Sequence, residues 1–137
     1  MAVRRKSREF AFQMLFQWEM RRESPAVIEK GFWRGVKAAA STREFATQLL
    51  EGAVARAGEI DKLVERHARG WTLERMAAMD RAILRLAVGE LRSTGTPPKV
   101  VINEAVELAK KFSSEDSAAF INGILDAILK ESEAAAR

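Results

Sequence analysis

The side chains best suited to acid–base or metal chemistry are few and stand apart in this sequence. His67, the one histidine, follows the apolar phase of Ile60 and Val64, where a histidine is more often structural than a ligand. Glu104 and Glu107 are one turn apart and could chelate a cation, although a solvent-facing pair that meets neighbouring lysines is the commoner case. The chain has no Cys, no HExxH zinc motif and no GxxxxGK phosphate loop. We therefore predict no catalytic residue, no metal site and no cofactor, and we expect a protein that is not an enzyme.

A different pattern, cations interleaved with aromatic rings, stands at the start of the chain. Arg4, Arg5 and Arg8 fall near Phe12 and Phe16 in helical projection. This combination is typical of single-stranded RNA binding, because cations neutralise the phosphates and flat rings stack on unpaired bases. Either ring alone could instead pack against a neighbouring helix, so both interpretations stay open.

The excess positive charge is concentrated in the same segment. The formal net charge of the chain is +4, and residues 1–22 hold six basic and two acidic side chains. The other 115 residues hold 17 of each sign. Such a patch suits a phosphate backbone or another anionic surface, and the alternative is a solvated basic tail that aids solubility.

The run Phe120-Ile121-Asn122-Gly123 lies inside a segment that otherwise favours helix. A glycine inside a helix costs about 1 kcal/mol relative to alanine, and asparagine is also a poor helix-interior residue. Close packing of another helix is the commoner explanation for Gly123. For Phe120 and Asn122, packing and a binding surface account for the residues equally well.

Apolar residues recur at helical spacing along the whole chain, and no strand alternation of any length interrupts them. With 137 residues, the chain is long enough for one domain with a single core. We therefore predict an all-α fold, a compact bundle of about seven helices in two helical subdomains, within a single domain spanning residues 1–137. The apolar runs are too short to cross a membrane and no signal peptide is evident, so we expect a cytoplasmic protein.

Local signals predict where several helices begin and end. Ser24 should cap the second helix, with the proline after it in the first turn. Ser41 should open the third helix as the first residue of a capping box, and Gly58 should interrupt the chain before the fourth. Ser113 should cap the seventh helix, whose last residues from Glu131 to the end of the chain should fray.

The segment from Asp80 to Asp126 carries an ordered series of motifs. It reads DRAILRLAVGEL, then Pro98, then KVVINEAVELAKKF, and then SSEDSAAFINGILD. Together with the basic start RRKSREFAFQMLFQW, it resembles the NusB family of transcription antitermination factors. The resemblance extends over nearly the full chain and is strongest over residues 4–18 and 80–126. It implies an all-helical fold with two subdomains and no catalysis.

The resemblance also implies a function. The chain would bind the boxA element of nascent ribosomal RNA, as single-stranded RNA, together with the ribosomal protein NusE. It would thereby promote processive antitermination and ribosomal RNA maturation, and would reach other Nus factors and RNA polymerase indirectly. Some family members self-associate, so a homodimer stays open, and no membrane is implied.

The family's site residues carry over to matching positions of this chain. RNA binding would fall to the arginine-rich start, the first-helix aromatic, and the Phe-x-Asn-Gly element with its neighbours: Arg4, Arg5, Lys6, Arg8, Phe16, Lys110, Lys111, Asp116, Phe120 and Asn122. A tyrosine is common in the family where this chain has Phe16, so a hydroxyl contact is lost while stacking remains. NusE binding would fall to Glu74, Asp80 and Arg85, where acids suit a basic ribosomal protein.

Two other functions fit the same features. NusB-like domains also occur fused ahead of RNA methyltransferase domains, which would make the chain a targeting domain for RNA modification. The lack of a cofactor-binding domain favours the stand-alone factor. The other alternative is a stand-alone helical protein-interaction module without sequence-specific RNA binding, whose basic start contacts an acidic partner.

Overall fold

Seven α-helices and one short 3-10 helix account for nearly all of residues 2–136, which the computed structural model describes. No strand occurs among those residues, so the prediction of an all-α fold is confirmed. The α-helices are α1 (Ala2–Arg21), α2 (Pro25–Arg34), α3 (Ala40–Ala55), α4 (Ala57–His67), α5 (Ala78–Ser93), α6 (Pro98–Phe112) and α7 (Glu115–Ala135). The 3-10 helix covers Leu73–Arg75. In the described part of the chain, no helix is both long and apolar enough to cross a membrane.

The helices form two groups, α1–α3 and α4–α7, joined through α5. Helix α5 packs against α1 and α3 on one side and against α4, α6 and α7 on the other. Its residues 82–90 are all buried, including a glycine at the crossing with α3. A Cβ atom at Gly89 would lie 3.1 Å from the Cα atom of Ala53. The missing side chain therefore allows α3 and α5 to approach closely at the centre of the core.

Only part of the predicted capping is present. Ser24 caps α2 as predicted, since its hydroxyl accepts a hydrogen bond from the Val27 N–H at 3.3 Å. The prediction for Ser41 is wrong, because Ala39 stands at the N-cap position of α3, two residues earlier, and makes no side-chain cap. The prediction for Ser113 is wrong by one residue: Ser114 caps α7 and accepts from the Ser117 N–H at 3.0 Å.

The ends of α4 and α7 hold each other in place. The break before α4 falls at Arg56, and the predicted breaker Gly58 lies inside the first turn of α4. Helix α7 stays helical to Ala135, beyond the point where fraying was predicted. Glu131 explains this, since it pairs with Arg66 and with His67 Nε2, each at 3.1 Å. His67 is thus a structural residue. Residue 137, the last of the predicted frayed tail, lies outside the described residues.

Candidate nucleic-acid interface

Three half-exposed cations from α1 and α6 converge at the start of the bundle. Lys6 Nζ lies 3.7 Å and Lys111 Nζ 2.8 Å from the carboxylate of Glu9. Arg5 donates two hydrogen bonds to Glu104, at 2.9 and 3.2 Å. These bonds and the Glu104 charge raise the pKa of Arg5, so the side chain stays charged. Each carboxylate holds its cations in place while more than half of every cationic side chain still faces solvent.

Arg8 differs from its neighbours because it is buried. Its guanidinium donates to both carboxylate oxygens of Glu90, at 2.9 and 2.6 Å, and also lies 3.5 Å from Glu104. All three side chains are less than a tenth exposed. The structure therefore places Arg8 as an internal counter-ion that joins α1 to α5 and α6. It is not the free cation that the sequence analysis assigned to phosphate contact.

The other predicted cations lie on different surfaces. The guanidinium of Arg4 is exposed and lies 3.8 Å from the ring centre of Phe45, on the α3 side of α1. Lys110 and Asn122 meet in a shallow groove between α6 and α7. Asn122 follows Phe120 by two residues on a helix, so the two side chains point to nearly opposite sides of α7. The structure therefore separates Asn122 from Phe120.

A cluster of rings continues from the three cations. Lys111 Nζ lies 5.5 Å from the ring centre of Phe112. The rings of Phe112 and Phe12 are 5.0 Å apart, and those of Phe12 and Phe16 are 6.5 Å apart. Phe12 is buried, whereas Phe16 and Phe112 are partly exposed. Phe12 is thus the packing ring of the pair that the sequence singled out, and Phe16 keeps a solvent-facing edge.

The turn between α6 and α7 is fixed by Asp80 of α5. The Ser117 hydroxyl donates to Asp80 at 3.2 Å, and the Ser113 hydroxyl lies 3.5 Å from the second carboxylate oxygen. Burial raises the pKa of Asp80, and the two serine hydrogen bonds oppose that rise. Asp80 therefore anchors this turn. It does not face the surface on which Glu74 and Arg85 lie.

A second pair of rings comes from the α4–α5 connection and from α7. Trp71 meets Phe120 edge to face, with ring centres 6.3 Å apart, and half of Trp71 is exposed. Asp116 is exposed one turn before Phe120, and Gly123 is exposed one turn after it. A Cβ atom at Gly123 would meet no atom of the described chain within 4 Å. Tight helix packing against Gly123, the commoner explanation, is therefore wrong.

Trp71 is a surface residue that the sequence analysis did not name as a site candidate. Half of it is exposed, and it follows Gly70, whose φ is +86°. The signal available in the sequence was a tryptophan next to a glycine, with no apolar stripe of helical spacing to join.

These cations and rings form one surface, which we call the basic–aromatic strip. Its members come from α1, the α4–α5 connection, α6 and α7: Arg5, Lys6, Phe16, Trp71, Lys111, Phe112 and Phe120. Contacts link them from Lys111 through Phe112 and the buried Phe12 to Phe16, and Phe120 with Trp71 lies beyond the Asp80-anchored turn that follows Phe112. Charge at one end and exposed rings at the other can bind phosphates and unpaired bases together.

A second surface, which we call the charged groove, lies between α1, α4 and α5. It is lined mainly by acids and arginines: Glu19, Arg22, Asp61, Glu65, Glu74, Arg81 and Arg85. Arg85 is buried and donates two hydrogen bonds to Asp61, at 2.8 and 2.9 Å, and one to Glu19. Arg81 also donates to Glu19, at 2.8 Å. Two of the three predicted partner-binding residues, Glu74 and Arg85, thus lie together in this groove.

The described residues hold no group of three or more side chains placed to bind a metal ion. Glu104 and Glu107, the pair considered as ligands for a cation, have different partners. Glu104 pairs with two arginines, and Glu107 lies 4.0 Å from Lys110. The second arrangement is the lysine pairing that the sequence analysis favoured.

Comparisons with known proteins agree with the motif resemblance. The model of the NusB family matches residues 5–130. A transcription antitermination protein NusB from Koribacter versatilis is 50% identical over 134 residues, 96% of this chain and 92% of the relative. A crystal structure of antitermination factors NusB and NusE in complex with dsRNA contains a chain that is 33% identical, with a TM-score of 0.85, covering 96% of this chain and 98% of that chain. T. maritima NusB is 37% identical, with a TM-score of 0.83, over 93% of this chain and 91% of its own.

The family match spans most of the chain, and both solved relatives share its fold. It also confirms the expectation that the chain is not an enzyme, since the curated relatives carry a transcription function. The chain therefore belongs to the NusB family of transcription antitermination proteins.

Proposed function

We propose that this protein binds the boxA element of nascent ribosomal RNA together with NusE, and that the pair promotes processive antitermination and ribosomal RNA maturation. The observation that carries this proposal is the basic–aromatic strip, because fixed cations and exposed rings lie on one surface. A solved relative is described in complex with NusE and dsRNA, which supports the same pair of partners here. The protein would act in the cytoplasm, where bacterial transcripts form, and would reach RNA polymerase and other Nus factors indirectly.

Single-stranded RNA suits the strip better than a duplex does. Arg5, Lys6 and Lys111 would neutralise phosphates at one end. Phe16, Phe112, Phe120 and Trp71 offer edges and faces that only unstacked bases can use. The exposed carboxylate of Asp116 could accept hydrogen bonds from base amino groups, which is the kind of contact that gives sequence preference.

NusE would bind at the charged groove. Arg81 and Arg85 are already paired internally, whereas Glu65, Glu74 and Arg22 are exposed. The groove's acids outnumber its arginines by four to three. A ribosomal protein is typically basic, and complementary charge accelerates its encounter with such a surface. Because the groove and the strip are separate surfaces, a heterodimer could form without covering the RNA rings. A homodimer that covers the strip would instead compete with RNA.

The proposal is tested by fluorescence anisotropy with a labelled boxA RNA, a scrambled RNA and a boxA duplex, each with and without NusE. We expect the single-stranded boxA RNA to bind tightest and NusE to strengthen that binding. Phe120→Ala should weaken it by about 1–3 kcal/mol if a base stacks there. Val27→Ala, which removes an exposed apolar side chain on α2, is the matched control and should leave the affinity unchanged. Equal, weak binding of all three RNAs, indifferent to NusE, would refute the proposal and leave a protein-binding module.

A further inference from the structure

A second basic surface lies between α2 and α3, outside the strip. We call it the α2–α3 groove, and define it by its charged and aromatic lining residues: Glu29, Lys30, Trp33, Arg34, Arg43 and Glu44. Three of these six residues are exposed cations, two are acids, and Trp33 is a partly exposed ring. Arg43 covers that ring, with its guanidinium carbon 5.2 Å from the ring centre.

The cations of this groove are not held in close ion pairs. Lys30, Arg34 and Arg43 make no ion pair within 4.0 Å in the described part of the chain. This contrasts with Arg5 and Lys111 of the strip, each of which already holds a carboxylate. Unpaired cations release the most counterions on meeting a phosphate backbone, so the groove is electrostatically the more available surface.

Aromatic contacts connect the groove to the strip. Lys6, a member of the strip, places its Nζ atom 5.1 Å from the ring centre of Phe10. The Phe10 ring meets Trp33 edge to face at 5.5 Å, and Arg43 covers Trp33. Phe10 is buried, so these contacts join the strip to the groove through the packing of α1 against α2 and not along an exposed surface. They place the groove next to Lys6, at one end of the strip.

Two acids also line the groove. Glu44 is exposed, whereas one oxygen of Glu29 is buried, and burial together with Glu51 raises the pKa of Glu29. Three cations against two acids leave the groove with a net positive charge.

We propose that the α2–α3 groove is a second subsite for single-stranded RNA, which receives the nucleotides flanking the segment held on the basic–aromatic strip. Lys30, Arg34 and Arg43 contact phosphates there, and one base packs beside Trp33. This inference rests on the proposed RNA-binding function. It adds that recognition extends past the core element and that flanking RNA contributes affinity.

The test compares a short boxA RNA, which covers only the strip, with the same RNA extended at either end. Wild-type protein should bind one of the extended RNAs about tenfold tighter than the short one. In the double variant Arg34→Ala/Arg43→Ala that gain should disappear, while the affinity for the short RNA changes less than about twofold. Two lost phosphate contacts should also lower the salt slope for the extended RNA by about 1.4.

The matched control is Arg56→Ala/Lys62→Ala, which removes the same charge from exposed residues around α4. It should retain the gain from extension. If extension brings no gain in wild-type protein, or if the control loses as much as the groove variant, the second subsite is refuted. A third outcome would assign the groove to an acidic protein instead. In that case RNA extension would bring no gain in affinity, and a polyglutamate peptide would bind wild-type protein but not the groove variant. Failure of wild-type protein to bind even the short RNA refutes the proposed function, and this inference with it.

Discussion

Replacing Arg8 with alanine should destabilise the fold strongly. The side chain lies among three helices, because it starts on α1 and reaches Glu90 of α5 and Glu104 of α6. Removing it leaves two carboxylates with less than a tenth of their surface in water and without their shared counter-ion. Glu104 keeps its ion pair with Arg5. Glu90 pairs with no cation other than Arg8 among the described residues, so it is left without a counter-ion.

The magnitude follows from that geometry. Breaking one partner out of a buried ion pair costs about 3–5 kcal/mol, because the remaining charge is left uncompensated. A domain is stable by only about 5–15 kcal/mol in total, so the variant should be marginal at best. An exposed pair behaves differently: Lys130 and Asp126 lie 3.0 Å apart with most of the lysine in water. Lys130→Ala should therefore change stability by less than about 0.5 kcal/mol.

Urea unfolding followed by tryptophan fluorescence measures both variants on one scale. A third protein, Arg8→Ala with Glu90→Gln, separates lost packing from stranded charge. The neutral amide leaves no buried charge at position 90, so this double variant should recover part of the loss seen for Arg8→Ala alone. Two results would contradict this inference. One is an unfolding free energy for Arg8→Ala that falls by less than about 1 kcal/mol, and the other is a double variant whose loss equals the sum of the two single losses. Either would show that the Arg8–Glu90 ion pair does not stabilise the packing of α1 against α5.

Three further predictions concern the exposed surfaces. Gly123→Ala should raise the unfolding free energy by about 0.5–1 kcal/mol, because the site is helical and open, yet lower RNA affinity by filling space beside Phe120. An unfolding free energy and an RNA affinity that both rise, or both fall, would contradict this prediction. Trp71→Ala should weaken RNA binding by about 1–3 kcal/mol while leaving the unfolding midpoint nearly unchanged, since half of the ring is already in water. Burial, followed by the charge of Glu51, raises the pKa of Glu29 to about 7 from the ordinary 4.5. Ionisation is thus harder in the folded state, so the contribution of Glu29 to stability should fall by about 1–2 kcal/mol as pH rises from about 5 to about 8. Glu29→Gln should reduce the fall in stability between these two pH values by that amount in urea titrations.

The sequence was sufficient to predict the features of the fold that depend only on residues close together in the chain. Helical periodicity predicts the seven helices, and Ser24 caps α2 because a cap needs only the three residues after it. Ser113 fails as a cap because its hydroxyl is engaged by Ser117 and Asp80, and Asp80 lies 33 residues away.

The site could be predicted only in part, because the sequence does not show which carboxylate each arginine pairs with. Arg5 and Arg8 are similar in sequence, yet one faces solvent and the other is buried against Glu90, 82 residues away. Arg85 likewise looks like a surface residue of an amphipathic helix until Asp61 is brought against it. Trp71 gained its meaning only when the α6–α7 turn placed Phe120 beside it. Each of these depends on which helices meet, which periodicity does not specify.

The most direct test of where RNA binds is photo-crosslinking of a short bromouridine-substituted boxA RNA, followed by mass spectrometry of the crosslinked peptides. RNA on the basic–aromatic strip should give adducts at Phe16, Trp71, Phe112 and Phe120, and these should vanish when unlabelled boxA RNA competes. Adducts confined to the charged groove around Glu74, with the four rings unmodified, would contradict the assignment of the strip to RNA.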